Sequence, residues 1–108
     1  INNGYLGMVR QWQEMFYKER YSSSDMSGNP DFVRLCEAYG GAGKRVIKKE
    51  DVAPAIEWSK TITDRPCILD FVVVEEENVF PMIPAGGAAE DMIISRPTKK
   101  MSKPKGST

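Results

Sequence analysis

At 108 residues, the chain has room for one small domain. Its 15 basic and 15 acidic residues balance, so no overall field favours nucleic acid or an anionic membrane. No apolar run reaches the roughly 18 residues that span a bilayer, and the first residues do not resemble a secretory signal, so the sequence predicts a cytoplasmic protein.

The chain opens on a polar pair, Asn2-Asn3, set between an apolar residue and a turn at Gly4. An amphipathic pattern follows at once. A loop of this kind, between a strand that ends at Ile1 and a helix, has a polar tip suited to an anion or a metal ion. We therefore expect the tip to bind a ligand. Because the loop starts the chain, we also expect the chain to be a fragment.

The first predicted helix runs from Met8 to about Arg20. Its apolar residues recur at three- and four-residue spacings, which is typical of a helix with one apolar face. They are Met8, Trp12, Met15 and Phe16. Residues 21–29 are rich in Ser, Gly and Asn and are predicted to form a loop.

A second helix is predicted after this loop, with Asn29 as its N-cap and Pro30 in its first position. The pair Gly40-Gly41 ends it, because glycine readily takes positive φ. The two cysteines, Cys36 and Cys67, lie in apolar patterns without a second pair. This argues against a disulfide framework and a zinc site, and predicts two buried, reduced thiols.

Residues 44–47 are predicted to be extended, and residues 50–61 to form a third helix. Pro54 has to lie in its first turns, because a proline deeper inside a helix costs about 3 kcal/mol. The predicted inner face of this helix consists of three residues. They are Val52, Ile56 and Ser59.

Residues 67–74 are almost continuously apolar and β-branched, which predicts a strand covered on both faces. The order of strand, two helices, short strand, helix and buried strand is typical of a parallel, doubly wound α/β sheet. Ligands of such sheets bind at the carboxyl ends of the strands, where Asn2-Asn3 is expected. The fold class is therefore α/β, as the C-terminal part of a doubly wound sheet that is incomplete on its own.

Residues 79–87 are apolar but interrupted by Pro and Gly, so neither an ordinary helix nor a strand is expected there. The end of the chain has many Lys and Arg residues and few apolar ones. We therefore predict a domain portion over residues 1–94 and a disordered basic tail over residues 95–108. No nucleic-acid partner is expected for the tail.

Several motifs together resemble the large, catalytic subunit of acetohydroxyacid synthase, also called acetolactate synthase, at its C-terminal end. The likeness covers residues 1–94; it includes Phe16-Tyr17 and Pro30-Asp31-Phe32 and rests most specifically on two stretches. These are Gly7-Met8-Val9 with Gln11-Trp12, and Pro81-Met82-Ile83-Pro84 with Gly86-Gly87. An Asn-Asn pair alone is weaker, because it closes the thiamine-diphosphate motif in a large superfamily.

The resemblance implies site residues. Asn3 would give its side-chain oxygen, and Tyr5 its backbone carbonyl, to Mg2+, which prefers oxygen ligands. Gly7, Met8 and Val9 would contact thiamine diphosphate, with Met8 supporting the aminopyrimidine ring. Without the flanking match, Asn3 would be interpreted as a turn or cap residue.

Trp12 would shape the substrate channel, and Ala85 would lie in the terminal segment that folds over its entrance. By spacing alone, Trp12 is interpreted as a core residue and Ala85 as part of an inert loop. Gly7 would allow a close backbone approach to the cofactor.

The resemblance also implies a reaction, in which pyruvate loses CO2 and the remaining two-carbon unit joins a second pyruvate or 2-oxobutyrate. The chain has no His. In this family, upstream parts of the protein hold the catalytic glutamate, the Gly-Asp-Gly half of the magnesium motif and the FAD site. No catalytic residue and no activity are therefore expected from these residues alone. A homodimer or tetramer and a small regulatory subunit are the implied partners, and no membrane is involved.

Two alternatives remain open at this point. Another thiamine-diphosphate enzyme, such as glyoxylate carboligase, pyruvate oxidase or a 2-oxo acid decarboxylase, would share Asn3 and the sheet. A small non-catalytic α/β interaction module would instead use Trp12 and Phe16 as aromatic anchors for a partner.

Overall fold

The structure is a computed structural model that describes residues 1–96. Two compact units are present, Ile1–Glu77 and Asn78–Thr108, and each is described by itself. Most of the basic tail predicted for residues 95–108 lies outside the described residues. Among residues 1–96, no helix has the length and apolar character needed to cross a membrane.

The helices and strands of the first unit follow in the order that the sequence predicts. In chain order they are α1 (Gly7–Phe16), α2 (Phe32–Ala38), β1 (Ala42–Val46), α3 (Val52–Lys60) and β2 (Cys67–Phe71). A short 3-10 turn, Lys49–Asp51, leads into α3. Pro54 therefore lies in the first turn of α3, as expected.

The sheet is parallel throughout. β1 and β2 pair in a register that places Arg45 opposite Asp70. On the other side of β2, the Asn2 N–H donates to the Phe71 carbonyl at 2.8 Å, and the Asn2 carbonyl accepts from the Val73 N–H at 3.0 Å. Asn2 thus pairs with the edge of β2 opposite β1 through an isolated parallel bridge, and a strand that ends at Ile1 stays a prediction.

Two helices cover opposite faces of this sheet. The Nη2 atom of Arg45 lies 2.9 Å from Asp31, at the start of α2, whereas the preceding residue, Lys44, lies 4.4 Å above the ring of Trp58 in α3. Consecutive residues of a strand point to opposite faces. Helices on both faces of a parallel sheet are the arrangement expected of a doubly wound α/β fold.

The core is small and the end of β2 is more exposed than predicted. The side chains of Cys36, Val46 and Ala55 are buried. β2 ends at Phe71, and the residues after it are exposed, with Val74 62% exposed. The prediction of a strand covered on both faces to residue 74 is therefore wrong, because the elements in residues 1–77 cover only part of the sheet. Both cysteines are free, but only Cys36 is buried; Cys67 is half-buried.

Two helix boundaries differ from the predicted ones. α1 ends at Phe16 rather than near Arg20, because Lys18 and Glu19 have φ values of 54° and 57°, in the left-handed region. α2 begins at Phe32, and its N-cap is Asp31, not Asn29, so Pro30 precedes the helix.

The cap of α2 is well defined. The Asp31 carboxylate accepts from the backbone N–H groups of Val33 and Arg34, at 3.0 and 3.1 Å, which satisfies two donors of the first turn. At the other end, Gly40 has a φ of 79°, as expected for the residue that ends a helix.

The inner face of α3 also differs from the prediction. Ala55 is the buried residue of the helix, whereas Ile56 is 40% exposed. Val52 and Ser59 are only half-buried. A short side chain at Ala55 lets the helix approach the sheet closely, and the spacing of larger apolar residues does not reveal this.

The second unit is described to residue 96. Within residues 78–96, the regular structure is a 3-10 turn, Ala89–Asp91, and a bridge in which Met82 and Ile93 exchange hydrogen bonds of 2.9 and 2.8 Å. The Asp91 carboxylate accepts from the Ala88 N–H at 2.8 Å. The prediction that residues 79–87 form neither an ordinary helix nor a strand is confirmed.

Candidate functional site

The loop after the first strand segment contains two successive Asn turns. The Asn2 side-chain oxygen accepts from the Gly4 N–H at 3.1 Å, and the Asn3 side-chain oxygen accepts from the Tyr5 N–H at 3.2 Å. Gly4 has a φ of 72°, which favours glycine. Asn2 is level with Val72, just beyond the end of β2. The polar tip therefore lies at the carboxyl edge of the parallel sheet, where such folds bind ligands.

A second loop fixes this tip from the other side. The Leu6 N–H donates to the Ser24 carbonyl and the Met26 N–H donates to the Gly4 carbonyl, each at 2.8 Å. These bonds flank Tyr5, which is bridged antiparallel to Asp25. The backbone around Tyr5 is thus held on both sides.

The same second loop is attached to α1 by a buried polar contact. The Ser24 hydroxyl donates to the Gln13 side-chain oxygen, and the Gln13 side-chain nitrogen donates to the Ser22 carbonyl, both at 2.8 Å. Ser24 is only 1% exposed. The loop, the tip and the helix therefore form one connected structure.

Gly7 leaves room for the Asn3 side chain. A Cβ atom at Gly7 would lie 3.0 Å from the Asn3 Nδ2 atom, which is closer than an ordinary van der Waals contact. The resemblance assigned Gly7 to close approach of a cofactor. Its neighbour within this chain is instead Asn3, so the absence of a side chain at Gly7 sets where the Asn3 amide can lie.

The oxygen atoms at the tip suit a hard cation. The Asn3 amide oxygen and the Tyr5 backbone carbonyl are neutral oxygen donors of the kind that Mg2+ accepts together with phosphate oxygens and water. Within residues 1–96, no cluster of three or more His, Cys, Asp or Glu could hold a metal ion. A cation at the tip would therefore need further ligands from a bound phosphate group or from another segment.

An open cleft of about 320 Å3 adjoins the tip, and its lining includes Asn3, Tyr5 and Asp70. The Asp70 carboxylate accepts from Arg45 Nε at 3.1 Å. Hydrogen bonds from this arginine to Asp70, and then to Asp31, raise the pKa of Arg45. Because Arg45 pairs with Asp70 and also with Asp31, one guanidinium serves two carboxylates, and the Asp70 charge next to the cleft is only partly neutralised.

The apolar face of α1 is exposed, and its buried face is polar. Met8, Val9 and Trp12 are 48%, 44% and 41% exposed, whereas Gln11 is 1% exposed. Spacing alone assigned Met8 and Trp12 to the core, and in residues 1–77 that interpretation is wrong. Periodicity identifies an apolar face but not what covers it.

The exposed face of α1 borders a cleft of about 460 Å3, whose lining includes Val9, Trp12 and Tyr17. Of the predicted cofactor residues, Val9 therefore lies with Trp12 at this cleft. Ala85 is an exposed residue of the second unit, next to a turn in which the Gly87 N–H donates to the Pro84 carbonyl at 2.9 Å. Its place at a substrate channel stays a prediction.

Sequence reasoning missed several residues that build the site. Gln13 and Ser24 hold the second loop, and Arg10 lies between the rings of Tyr5 and Tyr21. Polar residues on a helix opposite an apolar face are ordinarily interpreted as solvated, so no local signal separates these from surface residues. The Gln13–Ser24 and Arg10–Tyr21 contacts join residues 11 positions apart, which a spacing pattern does not detect.

Comparison with known proteins identifies the family. Residues 1–71 match the family described as thiamine pyrophosphate enzyme, C-terminal TPP binding domain. The chain belongs to this family. Thiamine pyrophosphate is thiamine diphosphate, so the domain type is one that binds the predicted cofactor, and its loop and doubly wound sheet correspond to the expected fold.

Individual relatives are acetolactate synthases. The chain is 48% identical over 96 residues to the acetolactate synthase large subunit of Corynebacterium glutamicum, covering 85% of this chain and 15% of that protein. It is 45% identical over 100 residues to the acetolactate synthase of Mycobacterium leprae, covering 89% and 16%. The Escherichia coli acetolactate synthase isozyme 2 large subunit is 39% identical over 93 residues, covering 86% and 17%. The chain thus spans about one sixth of the length of these relatives.

Proposed function

We propose that these residues form the C-terminal part of an acetolactate synthase large subunit. Such an enzyme would condense two pyruvates, or pyruvate with 2-oxobutyrate, with loss of CO2, in the synthesis of branched-chain amino acids. The observation that carries the proposal is the extent of the similarity. The family match ends at residue 71, whereas the acetolactate synthases align with 85–89% of the chain and so extend into the Pro- and Gly-rich segment.

The tip at Asn2-Asn3 is the proposed magnesium site. Asn3 would provide its amide oxygen and Tyr5 its backbone carbonyl, and the phosphates of thiamine diphosphate would complete the oxygen ligands. Two features support this assignment. The loop lies at the carboxyl edge of the sheet, and Gly7 leaves the Asn3 amide the space it occupies.

The exposed face of α1 is the proposed contact surface for the cofactor and the substrate. Gly7, Met8 and Val9 would lie against thiamine diphosphate, and Met8 would support its aminopyrimidine ring. Thiamine diphosphate, when bound, supplies the electron sink for decarboxylation and carbon–carbon bond formation. Trp12 would restrict the space for the second 2-oxo acid, and Ala85 would lie at the channel entrance.

The remaining requirements fall on other parts of the proposed enzyme. The chain has no His, and we assign no catalytic residue within it. FAD would bind elsewhere in the full-length protein, and a homodimer or tetramer, with or without a regulatory subunit, would be its assembly in the cytoplasm. These 108 residues by themselves are expected to be inactive.

The test is acetolactate formation from pyruvate by the full-length protein, with thiamine diphosphate and Mg2+ supplied or withheld. Cofactor-dependent acetolactate formation supports the proposal. Cofactor-dependent consumption of pyruvate without acetolactate would instead favour another thiamine-diphosphate enzyme. If neither cofactor has any effect, the proposal is wrong.

A further inference from the structure

Arg10 occupies an unusual position for a charged residue in the first turn of a helix. Its guanidinium carbon lies 5.0 Å from the ring centroid of Tyr5 and 4.8 Å from that of Tyr21. Its Nη1 atom donates to the Glu14 carboxylate at 3.3 Å, and its side chain is 11% exposed. The two rings belong to the two loops that pair beside the tip.

This position carries an energetic cost. The Arg10 Nε atom is buried and has no hydrogen-bond partner. A buried donor without a partner destabilises the folded state. A planar guanidinium between two aromatic rings offsets part of that cost through cation–π attraction, which an ammonium group provides less well in this geometry. An arginine held in this way restrains both rings.

We propose that Arg10 is a positioning residue for the magnesium-binding loop. Through its contacts with both rings it ties the Tyr5 loop to the Tyr21 loop, and so stabilises the position of the Tyr5 carbonyl proposed as a metal ligand. The hydrogen bonds that flank Tyr5, from Leu6 to Ser24 and from Met26 to Gly4, set the position and direction of the backbone, and the ring contacts add a side-chain connection between the same two loops. This inference rests on the proposed function.

The ring contact also gives the Tyr5 side chain a role of its own. A carbonyl ligand could come from any residue type, since the donor atom belongs to the backbone. The contact with Arg10 requires an aromatic ring at that position. The inference therefore makes the side chain, and not only the backbone, part of the metal site.

The experiment measures Mg2+ affinity by calorimetric titration of Mg2+ into the full-length protein in the presence of excess thiamine diphosphate. Arg10→Lys keeps the positive charge but loses the planar group. We expect it to weaken Mg2+ binding about tenfold, which corresponds to about 1.4 kcal/mol. Arg34→Lys, on the exposed surface of α2, is the matched control and is expected to bind Mg2+ as the wild type does.

A second pair of variants separates positioning from general loss of stability. Tyr21→Phe keeps the ring and is expected to retain Mg2+ affinity within about twofold, whereas Tyr21→Leu should weaken it about as much as Arg10→Lys does. Equal Mg2+ affinity for Arg10→Lys, Arg34→Lys and the wild type would overturn the inference, as would equal effects of the two Tyr21 variants. Failure of the wild type itself to bind Mg2+ with thiamine diphosphate would instead contradict the proposed function.

Discussion

The contact between Gly7 and Asn3 leads to the prediction that a substitution at Gly7 lowers the affinity for Mg2+ without lowering the stability of the fold. In Gly7→Ala, the new Cβ atom would lie 3.0 Å from the Asn3 Nδ2 atom, whereas ordinary contacts begin at 3.4 Å. The Asn3 amide would have to move by a few tenths of an ångström. The helix itself should not suffer, because alanine is a better helix former than glycine by up to about 1 kcal/mol.

The displacement matters because of what Mg2+ requires. Magnesium–oxygen distances are about 2.0–2.1 Å, with nearly ideal octahedral geometry. A shift of a few tenths of an ångström in the Asn3 amide is therefore large compared with the narrow range of distances that Mg2+ accepts. Changes to residues that orient metal ligands typically cost about 10- to 100-fold in affinity. We expect Gly7→Ala to weaken Mg2+ binding by about tenfold or more, without lowering the melting temperature.

The assay is Mg2+ titration of the full-length protein in the presence of thiamine diphosphate, together with thermal unfolding of the cofactor-free protein. Gly28→Ala is the matched control, because a Cβ atom at Gly28 meets nothing within 4 Å. Unchanged Mg2+ affinity in Gly7→Ala would refute the reasoning. So would a loss of affinity that Gly28→Ala reproduces.

Three further predictions concern packing, the exposed tryptophan and pH. Gly43→Ala should destabilise the fold by about 1–3 kcal/mol, measured by urea unfolding, because its Cβ atom would lie 3.0–3.1 Å from three atoms of Val33 in α2; a change below about 0.5 kcal/mol would contradict this. Trp12→Leu should raise the KM for the second 2-oxo acid several-fold with little loss of melting temperature, since Trp12 is 41% exposed. A lower melting temperature with unchanged kinetics would instead show that Trp12 contributes to packing and not to substrate binding. Hydrogen bonds from the Arg34 backbone and then from Arg45 lower the pKa of Asp31. The stabilisation of α2 by the Asp31 carboxylate should therefore be complete above about pH 4 and should decline as the pH falls through the lowered pKa. Hydrogen exchange of the α2 amides should show this decline in the wild type and not in Asp31→Asn.

Much of the fold could be predicted from local patterns. Each helix and strand produces its own periodicity, and Pro54 and Gly40 mark a helix start and a helix end through their backbone preferences. The boundaries were less predictable. Asp31 displaced Asn29 as the cap because both are good cap residues, and only the surrounding packing decides between them.

Burial was the weakest part of the prediction, for a physical reason. A hydrophobic pattern reports that a surface avoids water but not which partner covers it. In α1 the apolar face is exposed and Gln11 is buried, and after β2 the valines are exposed. Both surfaces are ones that a ligand or a further layer of structure would cover.

The candidate site was predictable at its tip and not around it. Asn3 and Gly7 belong to a short contiguous motif whose turn chemistry can be interpreted locally. Arg10 and Ser24 support that motif through contacts between segments far apart in sequence, and these contacts exist only in the folded chain. Resemblance to a family predicts the metal ligands, whereas the structure shows the contacts around those residues.

The most direct test of the account is the Mg2+-dependent binding of thiamine diphosphate to the full-length protein, compared between the wild type and Asn3→Ala. The account predicts that the wild type binds thiamine diphosphate only when Mg2+ is present. Asn3→Ala should bind little thiamine diphosphate even with Mg2+, while its melting temperature without cofactor falls only slightly through loss of the hydrogen bond from the Tyr5 N–H. Equal, Mg2+-dependent binding by both proteins would contradict the assignment of Asn3 as a metal ligand.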